Sequence, residues 1–348
     1  MNRALRRKQA KQAQQTGLVM MPSGQALDVG QAVRLGADFH QKQQYKEAED
    51  IYRRVLAIKA NDATTLNLLG NVMHNKKRYD EAEKLLQKSI EIDGKQASSH
   101  NNLGILYREM KRDEEALDCF YKALEINPEH ASAKHMVATI TGDESLASSD
   151  YVKKLFDQDA VQFESLLVNK LQYKTPQNLK AMLPEGAKFD AIMDIGCGTG
   201  LMAVELKGMF DSIDGIDLSA NMLKIAEEKG LYNKLITDDA VDYMQQNPQH
   251  YDLFVLADVC VYIGDLLPMF ETISNNAKAG AQLLFSTEIC EEGDHKLNES
   301  GRFSHNKAYL ERLLKQTGFK VVGYQQKALR KEAKEVLQGH HFLCEKES

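Results

Sequence analysis

Three alternate glycines follow an apolar stretch near the middle of the chain. Residues 191–200 read Ala-Ile-Met-Asp-Ile-Gly-Cys-Gly-Thr-Gly, so Asp194 closes a predicted buried strand just before Gly196, Gly198 and Gly200. Because glycine has no Cβ, such a backbone lets a ligand approach the main chain closely. A helix starting at Gly200 would point its positive end at that ligand. The pattern is shared by several nucleotide-binding folds.

The spacing of the glycines separates two classes of loop. Dinucleotide-binding folds favour G-x-G-x-x-G, whereas this loop reads G-x-G-x-G with an acid two residues before it. That variant resembles motif I of the class I S-adenosylmethionine-dependent methyltransferases. The resemblance implies that the loop binds the cofactor S-adenosylmethionine, with Asp194 reaching its ammonium group through water or fixing the loop. The implied loop residues are Asp194, Gly196, Cys197, Gly198 and Gly200.

Acidic residues also follow the next two predicted strands. Asp217 ends the second strand, where a carboxylate can accept hydrogen bonds from both ribose hydroxyls. It could instead cap the following helix, although Ser219 is itself a good helix cap. After the third strand, the resemblance implies that Asp239 contacts the adenine amino group, with Asp238 as the alternative; either could be a plain loop acid. The neighbouring residues assigned to the same site are Leu218 and Ala240.

Two later segments supply the candidates for catalysis. The resemblance places Ala257 and Asp258 beneath the methionine part of the cofactor. Tyr262 could orient the substrate or cover the sulfonium with its ring, or belong to the core. His305 is the candidate general base for an acceptor that must lose a proton, or else a residue at a helix start with no chemical role. Arg302 could hold an acidic group of the substrate.

Composition limits the classes of function. The net charge is −6, and no apolar run approaches the roughly 20 residues that a membrane helix needs, so no membrane span is expected. The five cysteines are scattered without a C-x-x-C pair, which favours a reducing compartment, taken as the cytoplasm. No H-x-E or H-E-x-x-H pattern indicates a metal site.

Short apolar strands alternate with helices from residue 190 onward. The predicted strands are 191–195, 212–217, 234–237, 251–257, 281–287, 319–325 and about 339–345, and helices include 200–209, 219–229, 268–278 and 306–317. Such alternation predicts a mainly parallel, doubly wound sheet with ligands at the carboxyl ends of its strands. The connection between the last two strands is too short for a crossover helix, so they should pair antiparallel. A seven-stranded Rossmann-like sheet with one reversed strand is the class I methyltransferase architecture.

The first half contains an internal repeat of 34 residues. Identical residues recur at this interval: Gly36, Gly70 and Gly104; Ala48, Ala82 and Ala116; Leu35, Leu69 and Leu103. The period is typical of a helix–turn–helix unit that stacks into a solenoid and resembles the tetratricopeptide repeat. The predicted all-α region spans 29–141, with units at 29–62, 63–96 and 97–130 and a capping helix at 131–141.

The first helices of the repeats are expected to line a concave groove. Counting along the repeat places Asn67, Asn71, His74, Asn101 and Arg108 there. Asparagine amides donate and accept hydrogen bonds, so they can bind the backbone of a protein or peptide. The alternative is a set of solvated polar residues on a spacer.

The remaining segments complete a multi-domain architecture. Residues 1–28 form a basic tail, predicted to be disordered; a transit peptide or a segment touching nucleic acid or a membrane surface is the alternative, and a nucleic-acid partner is not favoured. A small, polar stretch at 142–150 is the predicted linker, followed by the methyltransferase domain at 151–348.

The chain departs from the family pattern at one position near the start of this domain. The family usually reads D-Y-A where this chain has Gln-Asp-Ala at 158–160, which removes a tyrosine that would often cover the cofactor. The helix around Phe163 could still act as a lid.

As a whole, the chain resembles predicted bacterial methyltransferases that carry N-terminal tetratricopeptide repeats. The resemblance implies methyl transfer to a small-molecule or protein acceptor, with the repeats recruiting the substrate or a protein partner. The alternative is a repeat-based scaffold whose cofactor domain is catalytically silent. A nicotinamide-dependent oxidoreductase is disfavoured by the glycine spacing and the reversed last strand.

Overall fold

The computed structural model describes residues 17–21, 24–147, 149–164, 167, 171–332 and 335–347. Contacts divide the chain into two compact units, Met1–Thr141 and Gly142–Ser348. None of the helices in the described ranges is long and apolar enough to cross a membrane.

The first unit is built from antiparallel helix pairs. Its helices are α1 (Val29–Gln41), α2 (Tyr45–Ile58), α3 (Ala63–Asn75), α4 (Tyr79–Ile92), α5 (Ala97–Glu109), α6 (Asp113–Ile126) and α7 (Ala131–Thr141). The strongest contacts join α1 to α2, α3 to α4 and α5 to α6, and α7 packs on α6. This arrangement of pairs repeats every 34 residues, as expected for a solenoid.

A glycine in the first helix of each pair lies directly beneath a large side chain of the second helix. A Cβ atom added to the glycine would approach the facing side chain to 2.5 Å for Gly36 on Tyr52, 2.8 Å for Gly70 on Leu86 and 2.7 Å for Gly104 on Phe120. All three facing side chains are fully buried. The sequence period therefore records a packing requirement, because any larger residue would push the helices apart.

A short hairpin covers the open end of the first helix pair. Its strands, β1 (Val19–Met20) and β2 (Ala26–Leu27), are antiparallel. Val19 is fully buried and packs in a cluster with residues of α1 and α2, and Arg54 donates a hydrogen bond to the Met20 carbonyl oxygen at 2.9 Å. The predicted disordered tail is thus structured over 17–21 and 24–28, because it buries an apolar face that the solenoid would otherwise expose. Its first sixteen residues lie outside the described ranges.

The second unit contains one large sheet. Its strands are β3 (Phe189–Ile195), β4 (Phe210–Asp217), β5 (Lys234–Thr237), β6 (Tyr251–Leu256), β7 (Ala277–Ile289), β8 (His295–Leu297), β9 (Phe303–His305), β10 (Phe319–Glu332) and β11 (Glu335–Lys346). The main order is β10-β11-β7-β6-β3-β4-β5, with β8 and β9 beside the carboxyl end of β7. Strands β3 to β7 are parallel, and β11 is antiparallel to both of its neighbours. The predicted reversed strand is therefore confirmed.

Helices cover both faces of this sheet. They are α8 (Ser149–Glu164), α9 (Thr175–Lys180), α10 (Leu201–Glu205), α11 (Ala220–Glu228), α12 (Ala240–Gln246), α13 (Leu267–Asn276) and α14 (Lys307–Gln316). Alternate residues of β6 serve different cores: Phe254 packs in a cluster with Phe285 and Phe342, whereas Leu253 packs in another with Ile192. Because both faces are buried, the strands read as continuous apolar runs.

Two elements differ in length from the prediction. Helix α10 has five residues in place of the predicted ten over 200–209. The connection between the last two strands is itself mostly strand, since β10 continues to Glu332. The extension is held by backbone hydrogen bonds from Lys331 to Leu171 at 2.7 Å and from Lys174 to Leu329 at 3.4 Å. These partners lie about 160 residues away in sequence, beyond the reach of a local pattern.

Part of the predicted linker at 142–150 packs on the second unit. Residues Glu144–Leu146 form a short 3-10 helix, and α8 already begins at Ser149. The Glu144 carboxylate lies 2.8 Å from His295 Nε2 and accepts a hydrogen bond from the Leu297 amide at 3.2 Å. These contacts hold residues 144–146 against the second unit, although the composition of the segment predicts only a linker.

Candidate functional site

The glycine loop connects β3 to α10 at the carboxyl edge of the sheet. Gly196 has φ of 61°, and a Cβ there would lie 2.4 Å from the Val259 side chain. Gly198 has φ of 54°, but a Cβ there would meet only Phe163, at 3.9 Å. The first glycine is therefore required by packing as well as backbone conformation, while the second faces open space that a ligand could fill.

Asp217, at the end of β4, closes this loop. One carboxylate oxygen accepts a hydrogen bond from the Gly198 amide at 2.9 Å and the other from the Ser219 amide at 2.8 Å. Ser219 caps α11 by accepting from the Met222 amide at 3.2 Å, so the helix has its own cap. A carboxylate has about four acceptor sites, which leaves Asp217 able to accept from ribose hydroxyls. Burial raises the pKa of Asp217.

A cavity of about 480 Å³ opens beside the loop. Most predicted site residues line it: Asp194, Gly196, Cys197, Gly198, Asp217, Leu218, Asp238, Asp239, Ala240, Ala257, Asp258, Tyr262 and Arg302. Gly200 is not among the lining residues; its φ is 87°, and it packs against Tyr232. Its role in the structure is to let α10 begin close to that ring.

The charged groups in this mainly apolar lining are mostly acidic. In the described part of the cavity wall, five carboxylates face two arginines, Arg302 and Arg330. Asp194 is 1 % exposed and accepts a hydrogen bond from the Tyr232 hydroxyl at 2.7 Å. Burial raises the pKa of Asp194 to about 7, so a bound cation would favour its charged form.

The two acids that follow β5 both reach the cavity. Asp239 caps α12 through one oxygen, which accepts from the amides of Val241 at 2.9 Å and Asp242 at 3.2 Å. Asp238 accepts from the Asp239 amide at 2.9 Å. Both line the wall, so the geometry leaves the choice between them for an adenine contact open.

A charged network occupies the other end of the cavity. Arg330 Nη1 donates to Asp258 Oδ2 at 3.1 Å, and its Nη2 donates to Glu288. Arg302 Nε donates to the same Glu288 oxygen at 2.8 Å. Arg330 and Glu288 are each 5 % exposed. Two cations are thus balanced by two carboxylates, the arrangement that buried charges require.

The expected role of His305 as a base is not supported by its position. His305 is fully buried and does not line the described cavity. Its Nε2 donates to the carbonyl oxygens of Ile263 and Gly264, both at 3.0 Å, and its Nδ1 lies 2.6 Å from the Thr287 hydroxyl. Burial lowers the pKa of His305 to about 4. The residue is a neutral structural link between β9, β7 and the 263–264 turn.

Tyr262 lines the cavity and packs edge-on against Phe156 of α8, with ring centroids 5.3 Å apart. Burial raises the pKa of Tyr262 to about 12, so its phenol is a hydrogen-bond donor at neutral pH. It can orient a ligand but cannot accept a proton as a phenolate would.

Helix α8 lies beside the glycine loop. The sequence predicts its Phe163 there but does not assign Phe156 or Asp157 to the site. Phe156 and Phe163 line the cavity, and Asp157 accepts a hydrogen bond from the Ser219 hydroxyl at 2.6 Å. Near its other end, Lys229 binds Glu164 and donates to the Thr199 carbonyl oxygen at 2.6 Å. The expected lid position of Phe163 is consistent with these contacts.

The structure also assigns the predicted groove residues. Asn67 and Asn101 occupy equivalent repeat positions and are only 6 % and 5 % exposed; Asn67 Oδ1 accepts from Asn102 Nδ2 at 2.8 Å. His74 lies 2.9 Å from a Glu109 oxygen. The remaining two predicted positions, Asn71 and Arg108, are partly exposed. Asn67 is therefore used between α3 and α5, and Asn101 is buried in the helical unit.

No group of three or more histidine, cysteine or acidic residues in the described ranges is arranged to hold a metal ion.

Family models match both halves of the chain. A model described as a methyltransferase domain matches residues 167–324, and tetratricopeptide repeat models match residues 34–59 and 61–129. Among curated proteins, the ubiquinone biosynthesis O-methyltransferase of Serratia proteamaculans is 27 % identical over 107 residues, covering 29 % of this chain and 44 % of that protein. The chain thus spans less than half the length of this relative.

Solved structures similar to the chain include a S-adenosylmethionine-dependent methyltransferase from Methanosarcina mazei, with 20 % identity and a TM-score of 0.40 over 49 % of this chain and 97 % of the other. The N-methyltransferase NodS of Bradyrhizobium japonicum in complex with S-adenosylhomocysteine is 17 % identical, with a TM-score of 0.41 over 50 % of this chain and 86 % of NodS.

Proposed function

We propose that this chain, which joins tetratricopeptide repeats to a class I S-adenosylmethionine-dependent methyltransferase domain, transfers the methyl group of S-adenosylmethionine to an acceptor. The observation that carries the proposal is the glycine loop whose Gly198 amide is held by the Asp217 carboxylate inside an acid-lined cavity. In a dinucleotide site, loop amides bind phosphate. Here the Asp217 carboxylate accepts the hydrogen bond of the Gly198 amide. This arrangement suits a ligand that lacks phosphate and carries positive charge.

The residues of the cavity fit this cofactor, which when bound supplies a methyl group on a sulfonium. Asp217 would hold the ribose, and Asp238 or Asp239 the adenine amino group. Asp194 would face the ammonium group, and Ala257 the methionine chain. The open side of Gly198 would accommodate the nucleoside, because a Cβ there would fall into the cavity.

Two measurements test the proposal. Titration calorimetry of the full chain should show binding of S-adenosylhomocysteine, and a cell extract supplied with methyl-labelled cofactor should contain a labelled product that appears only with the protein. Absence of binding at millimolar cofactor would reject the cofactor site. Binding without any labelled product would instead favour the catalytically silent scaffold.

The acceptor atom is proposed to be oxygen. This choice is supported by the O-methyltransferases among the curated relatives.

We also propose that the enzyme works in the cytoplasm. This proposal is supported by the five cysteines, which are all free thiols.

The repeats are proposed to recruit the acceptor or a protein partner. The family of the repeats supports binding to a protein, and Asn71, His74 and Arg108 remain partly exposed at the predicted groove positions. In the labelling assay, Asn71→Arg should reduce labelling of the extract while leaving calorimetric binding of S-adenosylhomocysteine unchanged. Equal labelling would mean that this surface does not deliver the acceptor.

A further inference from the structure

The order of strands divides the cavity into two halves. Asp217 follows β4 and Asp239 follows β5, so both acids lie on one side of β3. The hairpin of β8 and β9 lies beside the carboxyl end of β7, on the opposite side of β6, and Arg302 immediately precedes β9. If the nucleoside occupies the first half, as in the proposed function, the methyl acceptor occupies the second.

Arg302 is held in the second half by a short hairpin turn. The Asn298 amide donates to the Arg302 carbonyl oxygen and the Gly301 amide donates to the Asn298 carbonyl oxygen, both at 2.9 Å. Gly301 has a φ of 79°, a conformation that favours glycine. Pairing of Ser304 with Glu288 attaches the hairpin to β7, and Arg302 Nε donates to the Glu288 carboxylate at 2.8 Å. The backbone and an ion pair therefore fix the position of this cation.

The two arginines of the second half differ in accessibility. The Arg302 side chain keeps 20 % of its surface exposed, whereas Arg330 and Glu288 are almost fully buried. Arg330 donates to both Asp258 and Glu288, so it maintains the charge balance inside the wall. Arg302 lines the same cavity and is therefore the cation that a ligand in the second half can contact.

The charges of the second half favour an anionic acceptor once the cofactor is bound. Arg302 and Arg330 are balanced by Asp258 and Glu288. Binding of S-adenosylmethionine adds the positive charge of its sulfonium. A carboxylate acceptor then gives three positive and three negative charges, and buried charges are stable when they are paired. An ammonium acceptor would instead leave two positive charges in excess.

A carboxylate acceptor also makes no demand for a proton acceptor in the wall. Hydroxyl and ammonium groups must lose a proton during methyl transfer, whereas a carboxylate is already ionised at neutral pH. The described cavity wall contains no histidine or lysine. Asp258 accepts hydrogen bonds at both oxygens, from Arg330 at 3.1 Å and from the Ser286 hydroxyl at 3.2 Å. For a carboxylate, binding and orientation are the tasks that remain for the protein.

We propose that the methyl acceptor is a carboxylate held by Arg302, so that the product is a methyl ester. The inference rests on the proposed function and names the acceptor class of its site. Arg302 would bind one carboxylate oxygen and leave the other facing the methyl carbon. That oxygen forms a bond to the methyl carbon as the carbon–sulfur bond breaks and its electron pair passes to the positively charged sulfur. Both reacting charges disappear, and no proton is transferred.

The rest of the wall favours an acid with an apolar body. Leu155, Phe156, Tyr173 and Ile263 line the cavity and can contact an aliphatic chain or a ring. Tyr262 lies within the electric field of both arginines, and burial raises its pKa to about 12. Its hydroxyl is therefore protonated at neutral pH and can donate to the same carboxylate. A monocarboxylic acid with an apolar body combines these features.

The chemistry of the labelled product tests the acceptor class. Methyl esters release methanol in mild alkali, whereas methyl ethers and N-methyl amines do not. The extract component that the full chain labels from methyl-labelled S-adenosylmethionine should therefore lose its label as volatile methanol. An alkali-stable label would overturn the inference but not the proposed function. Absence of any label despite cofactor binding would overturn the inference, and failure to bind S-adenosylhomocysteine would overturn both.

Calorimetry with a matched pair of probes tests the site without turnover. Hexanoate and hexanamide share an apolar chain but differ in charge. With the full chain saturated by sinefungin, whose ammonium group lies near the position of the sulfonium, hexanoate should bind at least about 10-fold more tightly than hexanamide, because hydrogen bonds between charged groups are the stronger ones. The preference should be smaller with the uncharged thioether of S-adenosylhomocysteine. An equal response to the two probes, or the same preference with both cofactor analogues, would overturn the proposal.

Arg302→Gln tests the residue. Glu288 keeps Arg330 as a partner in this variant, so the fold should persist. The variant should bind the two probes equally while its affinity for S-adenosylhomocysteine is unchanged, and Arg302→Lys should recover part of the preference. Arg312→Gln, at an exposed position on α14 where the arginine pairs with Asp294, is the matched control and should behave as the unmodified chain. A preference for hexanoate that survives in Arg302→Gln, or a parallel loss of S-adenosylhomocysteine binding, would contradict the role of Arg302.

Discussion

Asp217 connects the end of β4 to the glycine loop that follows β3, because these two strands are neighbours in the sheet. Strand β4 lies beside β3, so a carboxylate at its end meets the loop that leaves β3. The bond from Gly198 to Asp217 is 2.9 Å, and it holds the loop open toward the cavity. The same carboxylate can therefore shape the loop and accept hydrogen bonds from a ribose.

This double role predicts the effect of Asp217→Asn. The amide retains one acceptor oxygen but loses the charge and the second acceptor, so S-adenosylhomocysteine binding should weaken by about 1–3 kcal/mol. Calorimetry measures this directly. Asp211→Asn, at an exposed position of the same strand, is the matched control and should bind normally. Equal affinity in both variants would remove Asp217 from the ribose site.

The loop and its acid could be predicted from the sequence, because the backbone needs of Gly196 and Gly198 are expressed locally. The role of His305 could not be predicted from the sequence. Its type and position near a helix start suggest a base, but its burial depends on Ile263 and Thr287, which only the folded sheet brings together. Arg330 carried no signal either, because its partners Asp258 and Glu288 lie 72 and 42 residues away in the sequence.

At the scale of elements, the solenoid was the most predictable part of the molecule. Each repeat contacts mainly its neighbours, so its packing requirements recur in the sequence at a fixed interval. The mainly parallel sheet with an antiparallel last pair agrees with the prediction, because strands that alternate with helices form parallel sheets. The extension of β10 and β11 was missed, because it is held by the distant segment around Leu171.

The repeat packing predicts the effect of Gly104→Ala. A Cβ there would lie 2.7 Å from the fully buried ring of Phe120, so α5 and α6 must separate. Overpacking of this kind should reduce the free energy of unfolding of the helical unit by about 1–3 kcal/mol. Urea unfolding followed by helical circular dichroism measures the change. Gly94→Ala, where the nearest atom is a carbonyl oxygen at 3.4 Å, should have little effect, and equal losses would contradict the packing argument.

At the scale of the whole molecule, burial changes the pKa of several side chains in the second unit, so the stability of this unit depends on pH. Burial lowers the pKa of His305, His340 and His341 to about 4. Asp194 acts in the opposite sense, because burial raises its pKa to about 7. Neutral histidines stabilise the fold above their unfolded pKa of about 6.5, and that stability is lost as pH falls toward 4. The overall pH dependence is the sum of these opposing contributions.

A single substitution isolates one contribution. Between about pH 5 and 6, an unfolded chain binds most of one additional proton at position 341 relative to the folded chain, because His341 is fully buried and neutral. His341→Gln should therefore reduce the slope of unfolding free energy against pH by up to about 1.4 kcal/mol per pH unit, whatever it does to stability at neutral pH. Urea unfolding at several pH values measures the slope. His250→Gln, at an exposed position, should retain the slope of the unmodified chain; a similar slope in His341→Gln would mean that position 341 does not stay neutral in the folded state.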